Sequence, residues 1–436
     1  MAPLFTPCTT PKAPRSHHQA RAFTHENWVI CHQCDELQAL APVVDGQELL
    51  CSHCQHPLPM GRKRWLEQST ALVITALVLF ILANSFAFLS LKVVGFEQSA
   101  TILSGVAVLL TNDQWLLGAL VFATIFLFPL LEIGALLYLL LPYQLNWRLP
   151  GQVAVFRWLI RAQPWSMMEI FLLAILVTAI KLGDMATLIP GTSMYAFFAL
   201  VPILAVAFGL IDKRNLWGWL SPHNCFVGHP DERLYDCYVC EALVGASVIR
   251  RHHQCPRCHA TLHLRIPHSL QKTSALLLAA LILYIPANLL PFMTTRGLSG
   301  ERSDTLVSGV ISLLNHNMWL IAAVVFIASI VVPIAKLVIL SYLIYSVYAG
   351  SHFNVQHKVR LFHLTELVGR WSMVDVYVVT LLTALVQFGF LGNVEPGNAL
   401  LAFAAVVVLT MLAAETFDPR LLGDAQEEAG RVSGNK

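Results

Sequence analysis

Charge is what this sequence has least of. Only 12% of its 436 residues are Asp, Glu, Lys or Arg, about half the ~25% of an ordinary soluble domain. Hydrophobic residues make up 56% of the chain and the mean hydropathy is +0.63, so a soluble globular protein of this length is excluded. Motifs of common enzymes are also missing. No GxxxxGK[ST] loop is present to cradle a nucleotide, and there is no GxSxG elbow and no HExxH helix. No bulky soluble segment remains to house other chemistry, and the chain is expected not to be an enzyme. A net charge of +2 gives no reason to expect a nucleic-acid partner. Residues 1–26 are polar, rich in Pro and His and without an apolar core. They read as a flexible tail and not as a cleavable signal peptide. Residues 423–436 read as a second such tail.

What fills the chain is apolar runs. A membrane helix needs roughly 20 mostly apolar residues, and eight runs qualify, near 70–91, 115–141, 169–190, 193–211, 273–293, 318–345, 374–393 and 397–416. The expected fold is an all-α polytopic membrane protein with eight transmembrane helices. Basic residues gather in alternate connections. Arg62, Lys63 and Arg64 precede the first run, and Arg148, Arg157 and Arg161 follow the second. Lys213 and Arg214 follow the fourth, and Lys358, Arg360 and Arg370 the sixth. Cytoplasmic loops collect Lys and Arg, which predicts cytoplasmic termini and cytoplasmic cysteine clusters.

The chain repeats itself at an offset of 204 to 206 residues. Cys31, Cys34, Cys51 and Cys54 return as Cys237, Cys240, Cys255 and Cys258. Ala83-Asn84 returns as Ala287-Asn288, Ser104-Gly105 as Ser308-Gly309, and Trp115 as Trp319. Pro129 returns as Pro333, and Trp165-Ser166-Met167 as Trp371-Ser372-Met373. Each half has an even number of runs, so the duplication is parallel in the membrane. Predicted boundaries are a ribbon at 27–60, a four-helix module at 65–214, a second ribbon at 232–264 and a second four-helix module at 270–420. Each module is expected to have an outer loop after its first span, a long second span with a central Pro and a basic inner loop. A tight outer hairpin of two spans completes it. Asn84 and Asn288 are expected to hydrogen-bond between helices.

Eight of the ten cysteines form two CxxC…CxxC sets, with 16 and 14 residues between the pairs. CxxC lets one tight turn present two thiolates to one ion, and the spacing is that of a zinc ribbon. The ligands are therefore Cys31, Cys34, Cys51 and Cys54 in one set, and Cys237, Cys240, Cys255 and Cys258 in the other, with one Zn2+ each. Rubredoxin-like iron and redox thiols are the alternatives. A reducing compartment disfavours stable disulfides, and four thiolates close a zinc site against catalysis. Their expected job is to brace the inner ends of the bundles or each other. Cys8 and Cys225 lie outside the pattern and read as ordinary thiols.

Ionisable groups inside spans cost about 2.5–3.5 kcal/mol each at a helix centre on insertion scales, so they mark function or a paired structural site. Lys336 in the sixth run and Asp375 at the start of the seventh fall at the same depth and are expected to pair. Ser329, Ser372 and Thr410 lie one or two turns away or toward the same end, and the five form a candidate buried polar network for coupling. Secondary candidates are Glu132, Glu169, Lys181, Asp184 and Glu415. By the repeat, Lys336 corresponds to Glu132 and Asp375 to Glu169, so the first half would hold two facing carboxylates. A structural ion pair locking helices together is the competing reading for Lys336 and Asp375, and an interface or snorkelling role for the glutamates.

The doubled ribbons, Pro286-Ala287-Asn288-Leu289-Leu290-Pro291-Phe292-Met293, the stretch from Leu306-Val307-Ser308-Gly309 through Trp319 to Pro333 and Lys336-Leu337, and Gly369-Arg370-Trp371-Ser372-Met373-Val374-Asp375 together resemble the paraquat-inducible protein A family. The likeness covers about residues 27–420. It departs at Leu82-Ala83-Asn84-Ser85-Phe86, which lacks both prolines, and at Glu132. The resemblance implies a Gram-negative inner-membrane protein that works with a periplasmic MCE-domain tunnel protein. Such a pair would move phospholipid between inner and outer membranes and so serve outer-membrane integrity. Two other readings stay open on the residues alone: a passive anchor for the tunnel protein, and a metal- or thiol-based membrane sensor.

Overall fold

A computed structural model describes residues 28–30, 37–39, 50–52, 65–93, 96–183, 187–221, 234–240, 242–263, 265–297, 300–315, 319–349, 355–386 and 392–421. Two short strands, β1 (Trp28–Ile30) and β2 (Leu37–Ala39), pair antiparallel in the first ribbon. The first module then runs α1 (Trp65–Ser85), β3 (Leu89–Val93), β4 (Phe96–Ala100), α2 (Ile102–Thr111) and α3 (Trp115–Phe122). A π turn (Ala123–Leu127) joins α3 to α4 (Phe128–Gln144). After these come α5 (Gln152–Ala162), α6 (Met168–Gly183), β5 (Thr187–Pro190), α7 (Thr192–Leu210) and α8 (Lys213–Leu220). The second ribbon holds β6 (Leu234–Asp236), β7 (Leu243–Gly245) and α9 (Ala246–His252).

The second module repeats the first, with α10 (Ser269–Leu289), β8 (Met293–Gly297), β9 (Gly300–Asp304), α11 (Leu306–Asn315) and α12 (Trp319–Phe326). A second π turn (Ile327–Val331) leads to α13 (Val332–Tyr348) and α14 (Val355–Gly369). A 3-10 turn (Arg370–Met373), α15 (Val374–Leu385), β10 (Gly392–Pro396) and α16 (Asn398–Thr416) complete it. Seven stretches are long and apolar enough to cross a membrane: Trp65–Ser85, Trp115–Gln144, Gln152–Ala179, Thr192–Leu210, Ser269–Leu289, Ala322–Tyr348 and Asn398–Thr416. The predicted eighth, at 374–393, is the shorter apolar helix Trp371–Leu385 among the described residues. The 3-10 turn separates it from α14, whose sequence VQHKVRLFHLTELVG is too polar to lengthen it into a span.

Each module packs its first span on its fourth and second, α1 on α7 and α4, and α10 on α16 and α13. The modules meet through α6 and α15, and α2 of the first module also lies on α15. At that contact Gly105 lets the helices come close: a Cβ there would stand 3.0 Å from Thr380 Cγ2 and 3.3 Å from the Thr380 carbonyl. Every residue of α15 is buried. Its position at the centre of the molecule explains why a helix of only 12 residues needs no lipid-facing side.

Three features differ from the sequence reading. The expected outer loops are strands. In each module a hairpin after the first span takes a third strand from the turn between the third and fourth spans, giving the sheets β4-β3-β5 and β10-β8-β9. Polar side chains such as Arg296 and Glu395 on these strands masked the alternation that marks a strand. The expected basic inner loops are helices, α5 and α14. Among the described residues, Asn84 and Asn288 make no bond from their amides to other helices. Each amide donates to the carbonyl four residues back in its own helix, to Phe80 and Tyr284, at 2.8 Å in both cases.

The π turns sit just before Pro129 and Pro333. Proline has no N–H to offer the preceding turn and its ring crowds that turn's carbonyls. Widening to a π turn relieves the crowding without breaking the span.

Candidate functional site

The second ribbon builds its site from two knuckles. In each, the first cysteine's backbone N–H closes a tight turn, Cys237 onto the Ala242 carbonyl at 2.9 Å and Cys255 onto that of Ala260 at 2.8 Å. The chain between them returns through α9, and Gln254 bridges Thr261. The four sulfurs of Cys237, Cys240, Cys255 and Cys258 lie within 4.8 Å of one another, are all buried, and form no disulfide. Closest approaches are 3.5 Å, between Cys237 and Cys258 and between Cys240 and Cys255. Ligands at ~2.3 Å around one tetrahedral zinc stand about 3.8 Å apart, so the set fits one metal ion. Cys255 is held below the usual thiol range by hydrogen bonds from Cys237 and Cys240. Cys240 is pushed above it by its bonds to Cys237 and Cys255. Four sulfurs this close ionise together only around a cation. In the first ribbon Cys51 is buried, while Cys31, Cys34 and Cys54 lie outside the described residues.

The second ribbon is gripped by the first module. Arg157 on α5 donates from Nη1 to the carbonyls of His259 at 3.0 Å and Cys258 at 3.3 Å. Arg161, one turn on, donates to the Tyr238 hydroxyl at 2.7 Å. From α8, Trp217 Nε1 donates to the Val239 carbonyl at 3.2 Å in a buried contact, with its ring 4.7 Å from that of Phe156 on α5. Both knuckles are thus held by side chains of the module that precedes the ribbon in sequence. In the sequence Arg157 and Arg161 read only as inner-loop charge. Their spacing of four on an amphipathic stretch was the available signal.

The second candidate site lies within the spans. Lys336 on α13 is only 3% exposed. Its Nζ donates to Thr410 Oγ1 on α16 at 2.9 Å and to the Gly369 carbonyl, at the end of α14, at 3.4 Å. Thr410 in turn donates to Val407 of its own helix. A helix C-terminus carries partial negative charge and favours a cation, so α14 and Thr410 replace part of the water that the ammonium lost. Asp375 is not one of the lysine's partners. It is buried in the first turn of α15, a helix N-terminus that favours a carboxylate. The expected Lys336–Asp375 pair is therefore two charges at two helix ends of opposite polarity.

Ser329, Ser372 and Asp375 are buried on the second π turn, the 3-10 turn and α15, which pack against one another and against α13 or α16. The Ser329 hydroxyl bonds the Val325 carbonyl in its own helix. In the first module Glu132 is buried and shares a hydrogen bond with Ser166. Glu169 is exposed, and the two carboxylates do not bond each other, so the expected facing pair is not formed. Glu415 lies exposed on α16. The Lys181 side chain and Asp184 fall outside the described residues.

Gly369 was missed as a site residue. A Cβ there would stand 2.9 Å from Lys336 Nζ and 3.1 Å from its Cε. The repeat held the clue: where the second half has Lys336, Gly369 and Thr410, the first has Glu132, Gln163 and Leu204. Three positions changed together.

A family model described as "Paraquat-inducible protein A" matches residues 66–221 and again 270–427. The chain belongs to the paraquat-inducible protein A family. The two matched stretches are the two membrane modules, which confirms the duplication. Within the family, the Escherichia coli K12 "Intermembrane transport protein PqiA" is 33% identical over 420 residues, covering 95% of this chain and 98% of that protein. The "Lipophilic envelope-spanning tunnel protein A" of the same organism is 32% identical over 397 residues, 91% of each chain. A "Probable intermembrane transport protein" of Haemophilus influenzae is 30% identical over 399 residues, 90% of this chain and 94% of that one. The first two identities do not rank one branch of the family over the other. No solved structure matches the chain. This family member is a multi-pass membrane protein, and its relatives' names are those of transport proteins.

Proposed function

We propose that the chain is an inner-membrane subunit that exchanges phospholipid between the inner membrane and a periplasmic tunnel of MCE domains leading to the outer membrane. The names of its relatives, intermembrane transport and envelope-spanning tunnel, support the direction of this reading. So does the pattern of basic residues, which favours cytoplasmic ribbons and termini and leaves the two small sheets for the periplasmic side, where a tunnel protein would dock. In this reading both ribbons hold Zn2+. The metal supplies a rigid four-thiolate knot, and Arg157, Arg161 and Trp217 fasten the second knot to the first module.

The observation that carries the proposal is the buried Lys336, held by one hydroxyl and one helix-end carbonyl. A passive anchor has no use for an ammonium in such a place. A charged lysine offers three N–H donors and a neutral one two donors and an acceptor. Gain or loss of a proton therefore changes how firmly α13 is tied to α14 and α16. Asp375, Ser372, Ser329 and Thr410, on the elements packed around it, would sense that change. Lys336, Asp375 and these hydroxyls are proposed to couple protonation to a movement of the second module.

The test is transfer of a fluorescent phospholipid out of vesicles containing the full-length chain together with its tunnel partner, with and without a pH gradient, for the unaltered chain and for Lys336→Met. Transfer that responds to the gradient and is lost in the variant, with partner binding intact, supports the proposal. Normal transfer in Lys336→Met overturns the coupling and leaves an anchor.

A further inference from the structure

The two modules touch through a pair of repeat mates. By the offset of the Trp-Ser-Met segments, Tyr377 on α15 corresponds to Phe171 on α6. These two rings meet at the boundary between the modules, centroids 5.8 Å apart and edge to face at 86°. Both residues are 1% exposed. What distinguishes them is one oxygen. The Tyr377 hydroxyl donates to Thr124 Oγ1 at 2.9 Å, across 253 residues of sequence, and lies 3.5 Å from Met167 Sδ.

Thr124 belongs to the first π turn. Its hydroxyl donates to the Leu120 carbonyl at 2.9 Å and so accepts from the tyrosine. Its own carbonyl, loosened by the wide turn, takes the backbone N–H of Met167 at 3.5 Å. One residue therefore ties the π turn to the Trp-Ser-Met segment of the first module and to α15 of the second.

The repeat does not keep this link. By the offset of Pro129 and Pro333, the mate of Thr124 is Ala328 in the second π turn. The mate pair is Phe171 and Ala328, without donor or acceptor. Tyrosine goes with threonine in one place and phenylalanine with alanine in the other. Ala328 is half-buried where Thr124 is buried, so the two sides of the boundary differ in packing as well as in the bond.

Tyr377 stands two residues after Asp375 on a helix buried on every side. We infer that the Tyr377–Thr124 hydrogen bond is the positioning contact that carries a displacement of α15 from the Lys336 and Asp375 region into the first module's π turn. It makes the two halves answer as one. This rests on the transport reading, since it assigns a partner to the movement proposed there.

The test rewrites the pair as its own mate, Tyr377→Phe with Thr124→Ala, in the full-length protein. The variant removes both hydroxyls and one methyl and adds no bulk, so normal accumulation and normal zinc content are expected. Phospholipid transfer is expected to fall about fivefold, the order of one buried hydrogen bond. Each single variant should lose as much as the double, and Thr124→Ser, which keeps the acceptor, should transfer normally. Hydrogen exchange gives a readout independent of transfer. In the unaltered chain Lys336→Met should change exchange at residues 123–127, and in the double-variant background it should not. An exchange response that survives the double substitution overturns the inference, as does unchanged transfer in the double variant. Should Lys336→Met itself transfer normally, the transport coupling falls, while the exchange comparison still decides whether the link carries movement.

Discussion

The Lys336 ammonium lies 3.4 Å from the carbonyl oxygen of Gly369, at the end of α14, and only a residue without a Cβ allows that approach. Gly369 has ordinary helical backbone angles, φ −58° and ψ −34°. The glycine is needed for space and not for conformation.

That distinction makes Gly369→Ala informative. Alanine favours a helix over glycine by about 1 kcal/mol, so the backbone gains from the change. The new methyl would stand 2.9 Å from Nζ and would push the lysine off its carbonyl. Phospholipid transfer should fall as far as it does in Lys336→Met, with thermal stability in detergent unchanged or slightly raised. Full transfer in Gly369→Ala would show that the lysine works without this contact.

Metal removal should be felt in the first module. Chelation, or Cys255→Ser, is expected to release the second ribbon's metal and free the knuckle carbonyls that Arg157 and Trp217 hold. Amide exchange in α5 and α8 should then rise, and Arg157→Ala should raise it to a smaller extent while keeping the metal. Mild acid should reproduce the effect, because thiolates must lose the ion as they take up protons. Metal content by mass spectrometry and exchange by peptide mapping check both parts. Changes confined to the second module would contradict the grip seen here.

Gly191 and Gly397 are the repeat's shared need for a bare backbone. Both precede a fourth span, at φ −81° and −85°. A Cβ on either would fall well inside contact distance of a carbonyl opposite, that of Ala87 or Pro291. Backbone cannot step aside as a side chain can, so Gly191→Ala and Gly397→Ala should each cost about 1–3 kcal/mol. Each should lower the melting temperature in detergent. Equal melting of either variant and the parent would show that the turn relaxes.

The doubling, the spans and the second metal set were legible because each rests on residue types that stand out against an apolar background. Cysteine spacing, Trp-Ser-Met and the central prolines survive in any register. The small sheets were not legible. Their strands are five residues or fewer, and strands such as GERSD and GNVEP carry the composition of a turn. Lys336 and Asp375 stand out in the sequence by their cost in a span, and both are buried. Their partners were misassigned, because distance along a helix says nothing of which face a neighbour fills, and helix ends compete with carboxylates for an ammonium. Gly369 and Thr410 could have been picked out by reading the repeat for changes that occur together.

Those joint changes give the last prediction. Glu132 occupies the lysine's position in the first half and bonds Ser166, with Leu204 and Gln163 where the second half has Thr410 and Gly369. Glu132→Gln keeps a polar group able to bond Ser166 and should change transfer by less than about twofold, the scale of a partly retained hydrogen bond. Glu132→Lys is a different matter. It would place an ammonium in a buried site with a leucine where it needs a hydroxyl, and a glutamine side chain where it needs room to reach a helix end. An uncompensated buried charge costs about 3–5 kcal/mol, enough to lower the yield of folded protein sharply. Adding Leu204→Thr and Gln163→Gly should recover part of it, since together they rebuild the second half's site in the first. Recovery with the triple variant, measured as monodisperse protein after extraction, would show that a lysine here is stabilised by a hydroxyl and a helix end. If Glu132→Lys is tolerated alone, the ammonium needs neither, and the account of Lys336 given above is wrong.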